Sequence, residues 1–219
     1  MVIVGTEYST IYNGENIHLL GYYKHNKPSS NIVNRLKQLE NNRINRASMI
    51  LNKLYEYYGF KLDLDELVDL SNGSIGRPQI AGMLKKYYNI DKEESFNKYI
   101  GDNCPCYIPS SNQKLEDVIK FLHDNDAICV LAHPIHYKKT KIDEFIKLGI
   151  DGIECFYPEH GNRYRKKLVN ICLENNLLIT GGSDYHDGKK YKDKIHGYIG
   201  EAYIDGDNIN KLLERLEIV

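Results

Sequence analysis

Two short apolar runs in this chain end in residues that bind metal ions. Ala127 to Ala132 leads into His133-Pro134, and Leu177 to Thr180 leads into Gly181-Gly182-Ser183-Asp184-Tyr185-His186. Carboxylate oxygens and imidazole nitrogens are hard or borderline ligands, suited to divalent Mn, Zn or Fe. Asp184 and His186 stand two positions apart, so an extended backbone projects both to one side and one strand end can offer two ligands to one cluster. The glycines before them permit the tight backbone that such a cluster needs. Glu7 follows a first apolar run, Val2 to Thr6, in the same manner, and His18 lies inside Ile17-His18-Leu19-Leu20. Taken singly, Glu7 also fits a surface carboxylate and His18 a core or edge histidine. Taken together, carboxylates and histidines at strand ends are the pattern of a metal site at the mouth of an α/β barrel, where strand C-terminal ends assemble active sites.

A second group of residues could meet an anion. Arg77-Pro78 follows Gly73-Ser74-Ile75-Gly76, and proline is at home in a first helical turn. Free N–H groups beside a guanidinium would make a phosphate clamp, although a loop arginine packed on its own domain reads the same way. Lys138, Lys139 and Lys141 follow His133, Arg163 and Arg165 follow Tyr157-Pro158, and Lys189 and Lys190 follow His186. On one face they would rim the ligands with positive charge and suit a polyanion, but ordinary solvated side chains give the same pattern. Among the remaining histidines His160 is best placed, just past a strand end. Cys104-Pro105-Cys106 is too close-set for the usual zinc or redox pair, and Cys155 reads as core. No G-x-S-x-G, Walker A loop or dinucleotide fingerprint is present.

The elements that must position these residues change character along the chain. Val2 to Thr6 and Asn16 to Tyr23 read as strands joined across Tyr12-Asn13-Gly14, a hairpin signal. Helical spacing runs from Pro28 to Gly59, and shorter helices are expected at Leu64 to Leu70, Pro78 to Tyr88 and Lys92 to Ile100. Helices at Leu115 to Asn125, Ile142 to Leu148 and Asn162 to Asn175 then alternate with strands at Ala127 to Ala132, Gly152 to Phe156 and Leu177 to Thr180. A strand at Tyr198 to Ile204 and a helix at Asn208 to Leu216 complete the reading. The alternation predicts parallel βα units, residues 1–25 and 108–219 forming a barrel into which a helical block, 26–107, is inserted.

The 219 residues suffice to bury a core. A formal net charge of −1 and a pI near 6.7 argue against a bulk electrostatic grip on nucleic acid. Five cysteines, an odd number, do not form a disulfide framework. The start Met-Val-Ile-Val-Gly has no basic n-region or cleavage site, and no run is long enough to span a membrane. A soluble cytoplasmic chain is expected.

In order along nearly the whole chain, Gly5-Thr6-Glu7, Asn13-Gly14, Ile17-His18-Leu19-Leu20-Gly21 and Gly73-Ser74-Ile75-Gly76-Arg77-Pro78-Gln79-Ile80-Ala81 are followed by Tyr107-Ile108-Pro109 and Leu131-Ala132-His133-Pro134. Gly152-Ile153-Glu154 with Tyr157-Pro158, and Gly182-Ser183-Asp184-Tyr185-His186, complete the series. In these pieces the chain resembles the PHP (polymerase and histidinol phosphatase) family, in its nucleotide- and RNA-directed branch. The resemblance implies a distorted seven-stranded βα barrel with a helical insertion and divalent metal ions. It implies Glu7 (bridging), His18, His133, Asp184 and His186 as ligands, and Arg77 and His160 on the substrate side. The reaction implied is phosphoester hydrolysis by metal-activated water on nucleotides, nucleoside bisphosphates or RNA 5′ ends. The family opens with a His-x-His strand and a second ligand-bearing strand, and Met1 stands where its third strand begins. An incomplete barrel short of about sixty residues is therefore expected, at about 30 residues per βα unit. It would arise as a fragment, as one half of a split gene, or as a decayed member. Its exposed Val2 to Thr6 edge would invite self-association or a complementing N-terminal chain. Gln79, where the branch has histidine, is a smaller departure. The alternative is an impaired or inactive remnant serving as a metal- or phosphate-binding regulatory module.

Overall fold

The computed structural model describes residues 1–71, 75–110, 113–185 and 197–218. The chain divides into two compact units: residues 1–32 with 112–219, and residues 33–111.

The first unit is built on a mixed sheet. Strands β1 (Gly5–Tyr12) and β2 (Glu15–Tyr23) form an antiparallel hairpin. Asn13 and Gly14 turn it with φ of 50° and 68°, the left-handed pair that a two-residue turn requires. The first strand thus starts three residues later than expected and runs on to Tyr12. The β-forming Tyr8 and Thr10 bury their side chains, and the hairpin gives every residue from Gly5 to Tyr12 a partner. Met1 and Val2 stay exposed, so the apolar edge expected over Val2 to Thr6 is not a strand along its length.

A two-residue strand that the sequence reading missed, β3 (Gln113–Lys114), pairs in parallel with Thr10 and Ile11. It leads into helix α5 (Leu115–His123), whose Leu115, Val118, Ile119 and Leu122 are buried at helical spacing. Strand β4 (Ala127–Leu131), buried at every position, runs antiparallel to β2. Helix α6 (Ile142–Lys147) leads to β5 (Gly152–Phe156), parallel to β4, and helix α7 (Asn162–Glu174) leads to β6 (Leu178–Gly181), parallel to β5. The six strands lie in the order β3-β1-β2-β4-β5-β6. The closing helix α8 (Gly206–Arg215) sets Leu212, with Leu216 just past its end, against Ile128, Val130 and Leu178. The strand expected at Tyr198 to Ile204 is absent: Gly200 takes a φ of 85°, Tyr198, Ile199 and Tyr203 are exposed, and the segment turns back on itself.

The second unit is helical. Its main element, α1 (Ser30–Tyr58), ends where Gly59 adopts a φ of 70° and the N–H groups of Gly59 and Phe60 reach back to Tyr55 and Leu54. Helices α2 (Leu64–Leu70), α3 (Arg77–Tyr88) and α4 (Lys92–Glu94) follow, and a π-helical stretch at Ser95–Ile100 replaces the latter part of an expected regular helix. Ile50, Leu54, Leu67, Ile80, Leu84 and Ile100 form its own core. No helix among the described residues is long and apolar enough to cross a membrane.

Candidate metal centre

Strand register brings three of the expected ligands together. Glu7 pairs with Leu20 and Ser9 with His18, so Glu7 and His18 are diagonal neighbours on one face of the hairpin. Leu19 pairs with Leu131, and the Ala132 N–H donates to the His18 carbonyl at 3.1 Å, which carries His133 alongside His18. His133 then takes a φ of 25° and ψ of 60°, a sparsely populated backbone state for a non-glycine residue at the strand exit.

The resulting triangle is tight. His18 Nδ1 lies 2.6 Å from Glu7 Oε1. His133 Nε2 lies 3.2 Å from His18 Nδ1 and 3.5 Å from Glu7 Oε1. Ligand atoms about 2.0–2.2 Å from one tetrahedral ion stand about 3.3–3.6 Å apart. Two edges of the triangle are close to that spacing, and the third is a hydrogen bond that opens by less than about 1 Å to admit an ion. Two imidazole nitrogens and a carboxylate oxygen are also the donor set that Zn, Mn or Fe takes. The residues therefore fit a divalent metal. Hydrogen bonds from His133 and His18 hold the Glu7 carboxyl far below the usual carboxylate range, so it is ready as an anionic ligand at neutral pH.

Behind the triangle lies a residue the sequence reading quoted but gave no role. Glu154 on β5 is buried, and its Oε2 accepts the backbone N–H of His133 at 2.9 Å. Burial, reinforced by the charges of Asp184 and Glu7 and opposed by that hydrogen bond, pushes its carboxyl up to about 8. Gly182 makes room for it: a Cβ there would stand 2.7 Å from Glu154 Oε1. The available signal was a lone acid in an otherwise apolar buried strand. Glu7, Leu20, Ala132, His133, Glu154 and Asp184 line one cavity of about 230 Å³.

Asp184 thus faces the cavity that Glu7 and His133 also line, with a φ of 50° and its Oδ2 3.4 Å from the Tyr157 hydroxyl. His186 lies outside the described residues, as do His196, Lys189 and Lys190. Two anchors hold the rest in place. The Tyr137 hydroxyl accepts the His18 backbone N–H at 2.9 Å. The Glu15 carboxylate accepts the backbone N–H groups of Lys138, Lys139 and Thr140, fixing the loop after His133.

His160 is 1% exposed, farther inside than its place after a strand suggests. Its Nδ1–H donates to the Cys155 carbonyl at 2.9 Å, and its Nε2 has no hydrogen-bond partner among the described residues. Burial lowers its pKa to about 4, so the ring is neutral. Arg77 belongs to the helical unit. There its Nη1 donates to Asp102 at 2.6 Å and to the Ile100 carbonyl at 3.2 Å, and its guanidinium lies 5.5 and 5.2 Å from the Phe96 and Tyr107 rings.

No protein-family model matches the chain. It is 26% identical over 192 residues to a 5′-3′ exoribonuclease of Haemophilus influenzae, covering 84% of this chain and 69% of that protein. It is 24% identical over 193 residues to the 5′-3′ exoribonuclease Rnm of Escherichia coli, covering 84% of this chain and 65% of that one. In fold it matches a solved protein of Bifidobacterium adolescentis assigned as a metal-dependent phosphoesterase, with a TM-score of 0.74 at 23% identity over 97% of this chain and 76% of the other. Over most of its length the chain is thus similar to two 5′-3′ exoribonucleases, it shares its fold with a protein assigned as a metal-dependent phosphoesterase, and it sets a Glu-His-His cluster where a metal ion could be held.

Proposed function

We propose that this chain is a metal-dependent phosphoester hydrolase acting on nucleotides, nucleoside bisphosphates or RNA 5′ ends, on a distorted seven-stranded barrel with a helical insertion like that of the PHP family it resembles. The observation that carries the reading is the convergence of Glu7, His18 and His133 donor atoms within 4.8 Å of one another beside a cavity holding Asp184. The names of the two exoribonuclease relatives support the substrate class.

In this reading Glu7, His18 and His133 would hold the metal, with Asp184 and His186 as further ligands. A divalent ion held there would supply charge stabilisation at phosphorus and an activated water. The chain's own residues do the rest. Glu154 and Tyr137 hold the backbones of His133 and His18, keeping both rings in register with Glu7. The Tyr157 hydroxyl sits 3.4 Å from both His136 Nε2 and Asp184 Oδ2, which keeps the Asp184 carboxylate turned toward the cavity. Arg77 serves as a phosphate contact on the helical unit, and the neutral His160 offers Nε2 as an acceptor on the substrate side.

Release of product from a 5′-phosphorylated oligoribonucleotide and from nucleoside bisphosphates, measured with Mn, Zn or Fe supplied and again in chelator, tests the reading. Metal-dependent release is expected. No hydrolysis of any phosphoester with any of the three metals would refute it.

A further inference from the structure

The helical unit carries another partly buried arginine besides Arg77. Arg46, on α1, donates its Nε–H to the Ile108 carbonyl at 2.7 Å. Arg77, at the first position of α3, lies over the ring of Tyr107, the neighbour of Ile108. Both guanidiniums are therefore tied to the same stretch of chain. The electrostatics agree: burial, then the nearby positive charge of Arg77, push Arg46 below the ordinary arginine range.

Bringing two permanent cations together is unfavourable unless an anion answers them. Asp102 is the carboxylate that does so here. It binds Arg77, and its own side chain is 72% exposed, so it is held only at its tip. Among the described residues Arg46 donates through Nε and Arg77 through Nη1, out of five N–H donors each, and no other donor of either is buried without a partner. The 12-residue helix α3 adds to the positive field, because it begins at Arg77 with no side-chain cap at Gly76 and no acid in its first turn.

We propose that Arg46 and Arg77 together form an anion site in the helical unit that takes a phosphate group, with Asp102 occupying it as an intramolecular stand-in. The inference extends the reading of Arg77 as a phosphate contact and adds two residues to it: Arg46 as a partner and Asp102 as a competitor. The chemistry recognised is a dianionic phosphate, met by planar, charge-assisted N–H donors from two sides.

The test is calorimetric binding of inorganic pyrophosphate to the full chain, with metals chelated so that the metal centre cannot hold the probe. One site per chain is expected. Arg46→Gln and Arg77→Gln should each weaken binding about tenfold or more, as loss of a charged hydrogen-bonding partner does. Asp102→Asn should tighten binding several-fold by removing the competitor, a gain that general structural damage does not produce. Thermal melts identify any arginine variant that fails to fold, and the Asp102→Asn arm decides the question without them. The two-arginine site is refuted if folded Arg46→Gln binds as the parent does, or if Asp102→Asn binds no tighter. If only Arg77→Gln weakens binding, Arg77 stands as a lone contact and the pair falls. If the parent binds pyrophosphate but hydrolyses no phosphoester, the proposed function falls and the anion site remains.

Discussion

In the sheet unit Glu7, His18 and His133 are placed by backbone pairing, whereas in the helical unit Arg77 is placed by what its side chain touches. The difference decides how each can fail. A ligand fixed by register stays in position when its neighbours change, because moving it means breaking a ladder of hydrogen bonds. An arginine held by two aromatic faces and an exposed carboxylate moves as soon as one of them goes. The first region suits a metal, which needs atoms fixed to a few tenths of an ångström. The second suits a charged group that arrives and leaves.

The largest effect should come from removing a ligand from the register-held region. Glu7→Gln and His18→Ala change side chains that are about one-third exposed, 35% and 36%, on strands whose pairing does not depend on them. The variants should melt close to the parent, yet lose bound metal by elemental analysis and lose activity by about a thousandfold, several kcal/mol of transition-state stabilisation. Unchanged metal content in both would break the assignment of this cluster.

The next largest effect should come from His160, buried in the sheet unit. Its folded pKa, about 4, lies below the ordinary value of 6.5 because burial disfavours the cation. A histidine depressed on folding contributes stability that is complete above 6.5 and is lost as pH falls from there through 4. The gap corresponds to about 3 kcal/mol. His160→Gln keeps a donor for the Cys155 carbonyl and cannot charge in this range. Denaturant melts between pH 7 and pH 4 should therefore show a steeper acid loss in the parent than in the variant, and parallel curves would show that His160 is not buried neutral.

The strands that carry Glu7, His18 and His133 were legible in the sequence from a hairpin signal at Asn13-Gly14 and an apolar run ending in His133, although the first strand was drawn too early. The grouping of the three side chains came from the family resemblance, and strand register is what brings their donor atoms together. Glu154 was not legible as a support, because its role depends on a contact to the His133 backbone that no spacing encodes. The stretch Tyr198 to Ile204 misled for the opposite reason. Its apolar residues suggested a strand, but Gly200 in a left-handed turn broke it and left the tyrosines in solvent. Arg46 gave no signal at all, since one of three arginines in a helix of 29 residues reads as surface until its carbonyl partner is known.

Glu154 offers a test of how far register alone carries the first region. If pairing fully fixes His133, Glu154→Ala should be harmless; if the strained backbone of His133 needs the Glu154 carboxyl oxygen on its N–H, metal affinity should fall. Supporting residues of this kind are worth about 10–100-fold in metal affinity. Competition with a chromogenic chelator should therefore show a drop of that size for Glu154→Ala and a smaller one for Glu154→Gln, whose amide oxygen still accepts the N–H. Equal losses in the two variants would shift the role from hydrogen bonding to packing.

The smallest effect should come from the most conservative change in the second region. Arg77→Lys keeps the charge but removes the planar fork that stacks on Phe96 and Tyr107 while donating to Asp102 and Ile100. A compact ammonium cannot meet rings and carbonyl together, so a phosphate approaching it loses at least one donor. If Arg77 only binds, KM for a phosphorylated substrate should rise about tenfold, the weight of one charged hydrogen bond, with kcat unchanged. A fall in kcat at constant KM would mean that Arg77 acts on the reacting phosphoryl itself. The proposed division between a unit that would perform the chemistry and a unit that would capture the substrate would then no longer hold.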